Sequence, residues 1–329
     1  MLKNEFEFEG LEETLNLKGT NGDTLAQPSE GDKKPDSSTE KTSEQTNAAG
    51  ETDDDNNKPS TDSSHITVNV RDKAPVILLF GAPSSGKTMT LVRLARYLRN
   101  KGYTVSVDKL FVIEPNKMWE YEENSKNFNT MLTTDKALKG TNRNDFLFIR
   151  ICDERGTLIC QILEGAGEDY FTSSPVADRA QSQFPPYMTG IFNESNKKVW
   201  IFLTEPEWHG DRAQYVERIR FCKRNFIGKK DKSIILYNKV DMDIEACHGQ
   251  GIVNVKTARR NCSTAYDGLF KIFKNNSPWP WASTYTCKFV PFCTGTYGIS
   301  ALGELPHYDP SPDIYPAELW NEILNCIKG

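Results

Sequence analysis

The residues best suited to chemistry form one run, Gly81-Ala82-Pro83-Ser84-Ser85-Gly86-Lys87-Thr88, which fits the spacing G-x-x-x-x-G-K-[ST]. Gly81 and Gly86 let the backbone N–H groups of a loop that includes Ser84 and Ser85 turn inward around phosphate oxygens. A helix starting at the end of the run adds its positive N-terminus. In that arrangement Lys87 reaches the β- and γ-phosphates of a nucleotide and the Thr88 hydroxyl ligates Mg²⁺. The flanks agree with this reading. Pro75 to Phe80 (PVILLF) is an apolar run of the length of a buried strand, and Leu91, Leu94, Ala95 and Leu98 follow at helical spacing before Gly102. A Gly/Ser-rich turn would account for the glycines but not for that strand-loop-helix context.

A second run, Asn238-Lys239-Val240-Asp241, follows the apolar stretch SIILY and has the N-K-x-D pattern with which P-loop GTPases recognise guanine. A carboxylate at Asp241 accepts hydrogen bonds from guanine N1–H and the N2 amino group. Adenine lacks that donor pair and would leave the carboxylate unpaired. The Lys239 stem lies along the base plane while Asn238 ties the loop back. Alone, four residues read equally well as a polar turn at a strand end; downstream of the phosphate loop they read as base recognition.

A third run, Glu164-Gly165-Ala166-Gly167, ends CQILEGAG and resembles the switch II entry of Ras-like GTPases, a strand ending in D-x-x-G. The resemblance implies that Glu164 holds Mg²⁺ and that the Gly167 N–H contacts the γ-phosphate. Asp153-Glu154-Arg155-Gly156 also fits D-x-x-G, but it reads as a hairpin turn between two strands. The next position, usually Gln in the family, is Glu168. A carboxylate cannot donate the amide hydrogen bond that orients the attacking water, and its charge opposes the γ-phosphate, although it can accept a proton from water. By the same resemblance, Thr294 in Cys293-Thr294-Gly295 takes the place of the small-residue loop against guanine O6. A switch I threonine precedes the hairpin: Thr141, with Thr133 or Thr134 as alternatives. The order of the runs resembles the Ras-like, translation-factor-related class, and the long segments around both switches resemble bacterial double-GTPase proteins. Catalytic roles then fall to Lys87, Glu168 and Thr141, and metal ligation to Thr88, Glu164 and Thr141.

The elements that position these residues are legible as an α/β pattern. Phe146 to Leu163 reads as a hairpin turning at DERG. KVWIFL (198–203) and SIILY (233–237) read as buried strands, and KFVPF (288–292) as a last strand. Helical patterns cover about 213–226, 255–273 and 316–327. Strands alternating with helices predict a mostly parallel sheet covered on both faces. The family resemblance implies a three-layer P-loop GTPase fold with six strands, one of them an antiparallel hairpin strand, and five helices. The segments 104–145 and 168–197 are long for plain connections, which marks them as functional insertions.

Composition bounds the rest. The chain has 329 residues and a formal net charge of -5, but Met1 to His65 holds 16 acidic residues against 6 lysines. The remainder carries a basic surplus of five, too small to point to nucleic acid. Residues 18–65 hold no Phe, Trp or Tyr, with Leu25 as their one large aliphatic side chain, so they cannot offset their ordering entropy. A disordered acidic arm is therefore expected over 1–65 and one nucleotide-binding domain over 66–329, beginning near Ile66. Phe6, Phe8 and Leu11 among glutamates give the arm's first residues the character of a docking segment. No run approaches the ~18 apolar residues of a membrane span, and no secretory leader pattern is visible. Eight scattered cysteines without CxxC fit reduced thiols in a cytoplasmic protein. Trp279 and Trp281 read as loop packing, and His209 and His248 lack partners at metal-ligand spacing.

The expectation is a GTP- and GDP-binding switch with Mg²⁺, a slow GTP phosphohydrolase that works with a protein effector or activator. The alternatives are a GTP-binding interaction module without turnover and, more distantly, an ATP-using P-loop enzyme.

Overall fold

A computed structural model describes residues 70, 72–108, 118–134, 146–170, 184–208, 210–247, 253–275, 284–297 and 307–329. The chain divides into Met1–Ser60 and Thr61–Gly329; every described residue belongs to the second unit, and the arm and the start near Ile66 lie outside them.

In chain order the elements are β1 (Val76–Phe80), α1 (Lys87–Asn100), β2 (Thr104–Val107), α2 (Met118–Met131), β3 (Phe146–Cys152), β4 (Leu158–Gly165), α3 (Gly167–Tyr170), α4 (Pro186–Asn193), β5 (Lys198–Thr204), α5 (Arg212–Asn225), β6 (Lys232–Tyr237), α6 (Val255–Ala265), β7 (Cys287–Pro291), β8 (Gly295–Tyr297), β9 (Tyr308–Pro310) and α7 (Ile314–Lys328). Seven strands form one sheet in the order β2-β3-β4-β1-β5-β6-β7. β3 runs antiparallel to both its neighbours, and all other pairs are parallel. This is the three-layer, mostly parallel α/β arrangement expected, with one strand more than six: β2, a four-residue edge strand whose alternating exposure leaves no apolar run to read.

The central strands are apolar on both faces because helices cover both. Every residue of β1 and of β5 is buried. Phe80, Phe202 and Trp200 form the middle of an aromatic core that reaches Tyr170 and Tyr215. Helix starts follow local chemistry. The Asp211 carboxylate caps α5 by accepting from Gln214 N at 2.9 Å, and Asn254 caps α6 by accepting from Thr257 N at 3.0 Å. The long helix expected over 255–273 ends instead at Ala265; Gly268, at φ +81°, turns the chain before a separate short helical turn at Phe270–Phe273. Described elements lie within both long segments. α2 lies within the first, and α4, opened by Pro186 and burying Tyr187, Met188, Ile191 and Phe192, lies within the second.

All eight cysteines are free. No helix among the described residues is long and apolar enough to cross a membrane.

Candidate nucleotide-binding site

β1 delivers the chain to the C-terminal edge of the sheet, where the Gly81–Thr88 run turns into α1. Gly86 sits at φ +85° as the N-cap residue, and no side chain caps the helix. A Cβ there would also lie 2.5 Å from Asn238 Nδ2, so glycine is required twice over. Ser84 adopts φ +61°, a left-handed conformation that costs a non-glycine residue ~1–2 kcal/mol and is typical of functional loops. Lys87 is buried and donates Nζ to the carbonyls of Gly81 and Ala82, each at 3.1 Å. The Ser85 hydroxyl is buried without a hydrogen-bond partner. A loop with uncapped helical N–H groups, a buried ammonium and an orphaned hydroxyl is chemically fitted to an anion with several oxygens.

β4 ends beside it. Its register with β1 pairs Glu164 with Leu79, and the buried Glu164 carboxylate accepts from Thr88 Oγ1 at 2.7 Å. Two hard oxygen donors side by side at the mouth of a phosphate loop fit Mg²⁺, which takes one or two protein oxygens and completes its shell from phosphate and water. Asp153 lies elsewhere, in the β3–β4 turn, accepting from Arg155 N and Thr157 N. Gly167 opens α3 against the Gly81–Thr88 loop: a Cβ on it would lie 2.4 Å from Pro83 N. α3 then places the fully buried Tyr170 ring 4.8 Å from that of Phe80 and 5.9 Å from Lys87 Nζ. Glu168 lies in α3, its side chain outside the described ones.

β6 brings up the second run. The Asn238 N–H donates to Thr204 O at 2.7 Å and its Nδ2 to Ser85 O at 2.9 Å. Lys239, left-handed at φ +53°, donates Nζ to Ser84 O at 3.2 Å and pairs with the buried Glu205 carboxylate at the end of β5. Asp241 is exposed on the short turn Val240–Met242, anchored by Val240 N donating to Phe292 O at 3.1 Å. Next in line, the Cys293 thiol is pushed up to about 12 by burial and by the Asp241 carboxylate beside it, so it stays a neutral donor. Thr294 is buried after β7, its carbonyl accepting from Ser311 N at 3.2 Å and from the Tyr308 hydroxyl.

Ten residues singled out from sequence thus gather along one edge of the sheet: Gly81, Ser84, Ser85, Gly86, Lys87, Thr88, Glu164, Gly167, Asn238 and Lys239 are joined by contact or chain continuity, with Asp241 and Thr294 following β6 and β7. Thr141 lies outside the described residues, as do His209, His248, Trp279 and Trp281. The alternatives to Thr141 follow the end of α2: Thr133 Oγ1 donates to Thr130 O at 3.0 Å, and the Thr134 carbonyl accepts from Arg96. Sequence reasoning missed Glu205, Tyr308 and Ser311, whose partners are distant or lie in loops without a pattern.

No protein-family model matches the chain, and no curated protein is similar to it in sequence. Solved structures similar to it include the Ski7 GTPase-like domain of S. cerevisiae bound to GTP, 13% identical with a TM-score of 0.38, covering 81% of this chain and 52% of that one. The signal recognition particle receptor SRb-GTP/SRX complex of Chaetomium thermophilum is 14% identical with a TM-score of 0.38, covering 77% of this chain and 99% of that one. Roco2 of Methanosarcina barkeri bound to GDP is 12% identical with a TM-score of 0.30, covering 79% of this chain and 51% of that one. The chain spans about half the length of the Ski7 and Roco2 chains.

Proposed function

We propose that this chain binds GTP and GDP with Mg²⁺ and acts as a switch that hydrolyses GTP slowly. One observation carries the reading: the run with the guanine pattern and the run with the phosphate pattern, 153 residues apart, are tied together by Asn238 Nδ2 on Ser85 O at 2.9 Å. Base and phosphates of one nucleotide need such a fixed spacing, and separate structural turns do not.

On this reading Lys87 exchanges its two loop carbonyls for phosphate oxygens, which offer charge-assisted bonds. Gly81, Ser84, Ser85 and Gly86 present the loop N–H groups, and Gly167 adds its own from the far side. Thr88 and Glu164 would hold Mg²⁺, with a switch I threonine such as Thr141 as a third donor, and the ion would supply positive charge against the charge developing on the γ-phosphate. Asp241 accepts from guanine N1–H and N2, Lys239 lies along the base, and the Thr294 N–H meets O6. Glu168 stands where an amide would orient water, and its charge opposes the γ-phosphate, so hydrolysis waits on a protein activator. The same residue favours a second reading, a GTP-binding interaction module without turnover.

The test is to mix purified protein with GTP or ATP, with and without Mg²⁺, and follow binding and phosphate release. Preferential, Mg²⁺-supported GTP binding with slow release is expected. Equal binding of ATP would move the chain to the ATP-using class.

A further inference from the structure

Beyond Thr294 the chain folds the two-stranded ribbon β8–β9 before entering α7. The ribbon starts tightly, since a Cβ on Gly295 would lie 2.1 Å from Asp309 O. It returns to where it began: Ser311 N donates to the Thr294 carbonyl at 3.2 Å, and the buried Tyr308 hydroxyl donates to the same oxygen.

Ser311 is in turn held from α1, the helix that opens at the phosphate loop. Arg93, in the second turn of α1 and 3% exposed, donates Nε to Ser311 O at 3.1 Å and to Ser311 Oγ at 3.2 Å. Its Nη2 donates to Ser311 O and, at 2.7 Å, to Asp313 Oδ1. One turn on, the Arg96 guanidinium lies 5.1 Å from the Tyr308 ring centroid. A buried guanidinium is costly unless its donors are engaged, and here they converge on the residue that fixes Thr294.

We propose that Arg93 is a positioning residue for the nucleotide base: through Ser311 it clamps the Thr294 carbonyl, so that α1, which carries the phosphate site at its start, also sets the place of the loop against guanine O6. This rests on the guanine-nucleotide reading above. It predicts that selectivity for guanine, rather than phosphate binding, depends on a side chain that touches no nucleotide.

The experiment measures GTP and ATP affinities and melting temperatures for the full chain and for Arg93→Lys and Tyr308→Phe. Lysine keeps the charge but loses the planar fork, and Phe keeps the ring but removes one donor from the Thr294 carbonyl. GTP affinity should fall about tenfold in Arg93→Lys and several-fold in Tyr308→Phe, the scale of a broken buried hydrogen bond, while the weaker ATP affinity, which rests on the phosphate loop, holds within about twofold. A GTP-to-ATP preference unchanged in both variants, even with a lowered melting temperature, would show a purely structural contact and overturn the proposal. If Arg93→Lys fails to fold, Tyr308→Phe decides alone. Wild-type protein without preference for GTP would overturn the nucleotide reading, and this inference with it, before any variant is compared.

Discussion

Lys87 keeps its ammonium buried on two carbonyls of its own loop, a holding position that phosphate oxygens would better. Lys87→Ala should therefore abolish nucleotide binding and leave the far-ultraviolet circular dichroism unchanged, because alanine keeps the first position of α1 helical and the bonds lost are two to carbonyls of the lysine's own loop. Binding close to wild type would mean the loop holds no phosphate. Glu168→Gln supplies an amide able to donate to water and removes one negative charge at the position where the switch II resemblance expects glutamine, so single-turnover GTP hydrolysis should rise; loss of a brisk wild-type rate would instead identify Glu168 as the general base. At this scale the sequence was legible where chemistry is contiguous, as in Gly81–Thr88 and Asn238–Asp241. It was silent where the candidate site is assembled across the fold. The carboxylate partner of Lys239 is Glu205, just past the end of β5, and Arg93 meets Ser311 from 218 residues away. No local spacing connects such pairs.

The elements were readable in proportion to their burial. β1, β5 and β6 are apolar along almost their whole length, α7 buries one regular stripe, and α1 buries Leu91, Leu94, Ala95 and Leu98 at helical spacing together with the residues between Thr90 and Ala95, so their patterns announce them. β2 and the β8–β9 ribbon are short and partly exposed, and α6 was overextended because an apolar periodicity continues past the turn at Gly268 into Phe270 and Phe273. Capping belongs to this scale too. α5 has no acidic side chain in its first turn, and its one side-chain cap is the Asp211 carboxylate. Asp211→Ala should cost ~1 kcal/mol, measured as a lowered denaturant midpoint with an unchanged slope. A change below a few tenths would show that water satisfies that helix end as well as the carboxylate does.

At the scale of the whole molecule, the segment just before β1 is tied to the rest of the fold. Asp72 is tied in at once: its carboxylate pairs with Arg150 and its carbonyl accepts from Asn196 Nδ2 at 2.6 Å. A chain starting at Ser64 keeps these contacts and drops only residues without core-forming runs, so its melting temperature and GTP affinity should match those of the full chain; a fall of several degrees would assign the acidic arm a part in stability. The α/β class and the strand-loop-helix step were legible because a parallel sheet needs buried strands and crossover helices, whereas the seventh strand was not. The most direct measurement is the affinity of wild type and Asp241→Asn for GTP, ATP and xanthosine triphosphate. Asparagine offers one acceptor and one donor, which mismatches the guanine amino group and matches the 2-oxo group of xanthine. With ~1–3 kcal/mol at stake per unpaired buried group, the variant should lose GTP affinity by about tenfold or more and gain affinity for xanthosine triphosphate, with ATP unaffected. Equal affinities for all three nucleotides in both proteins would contradict the guanine site.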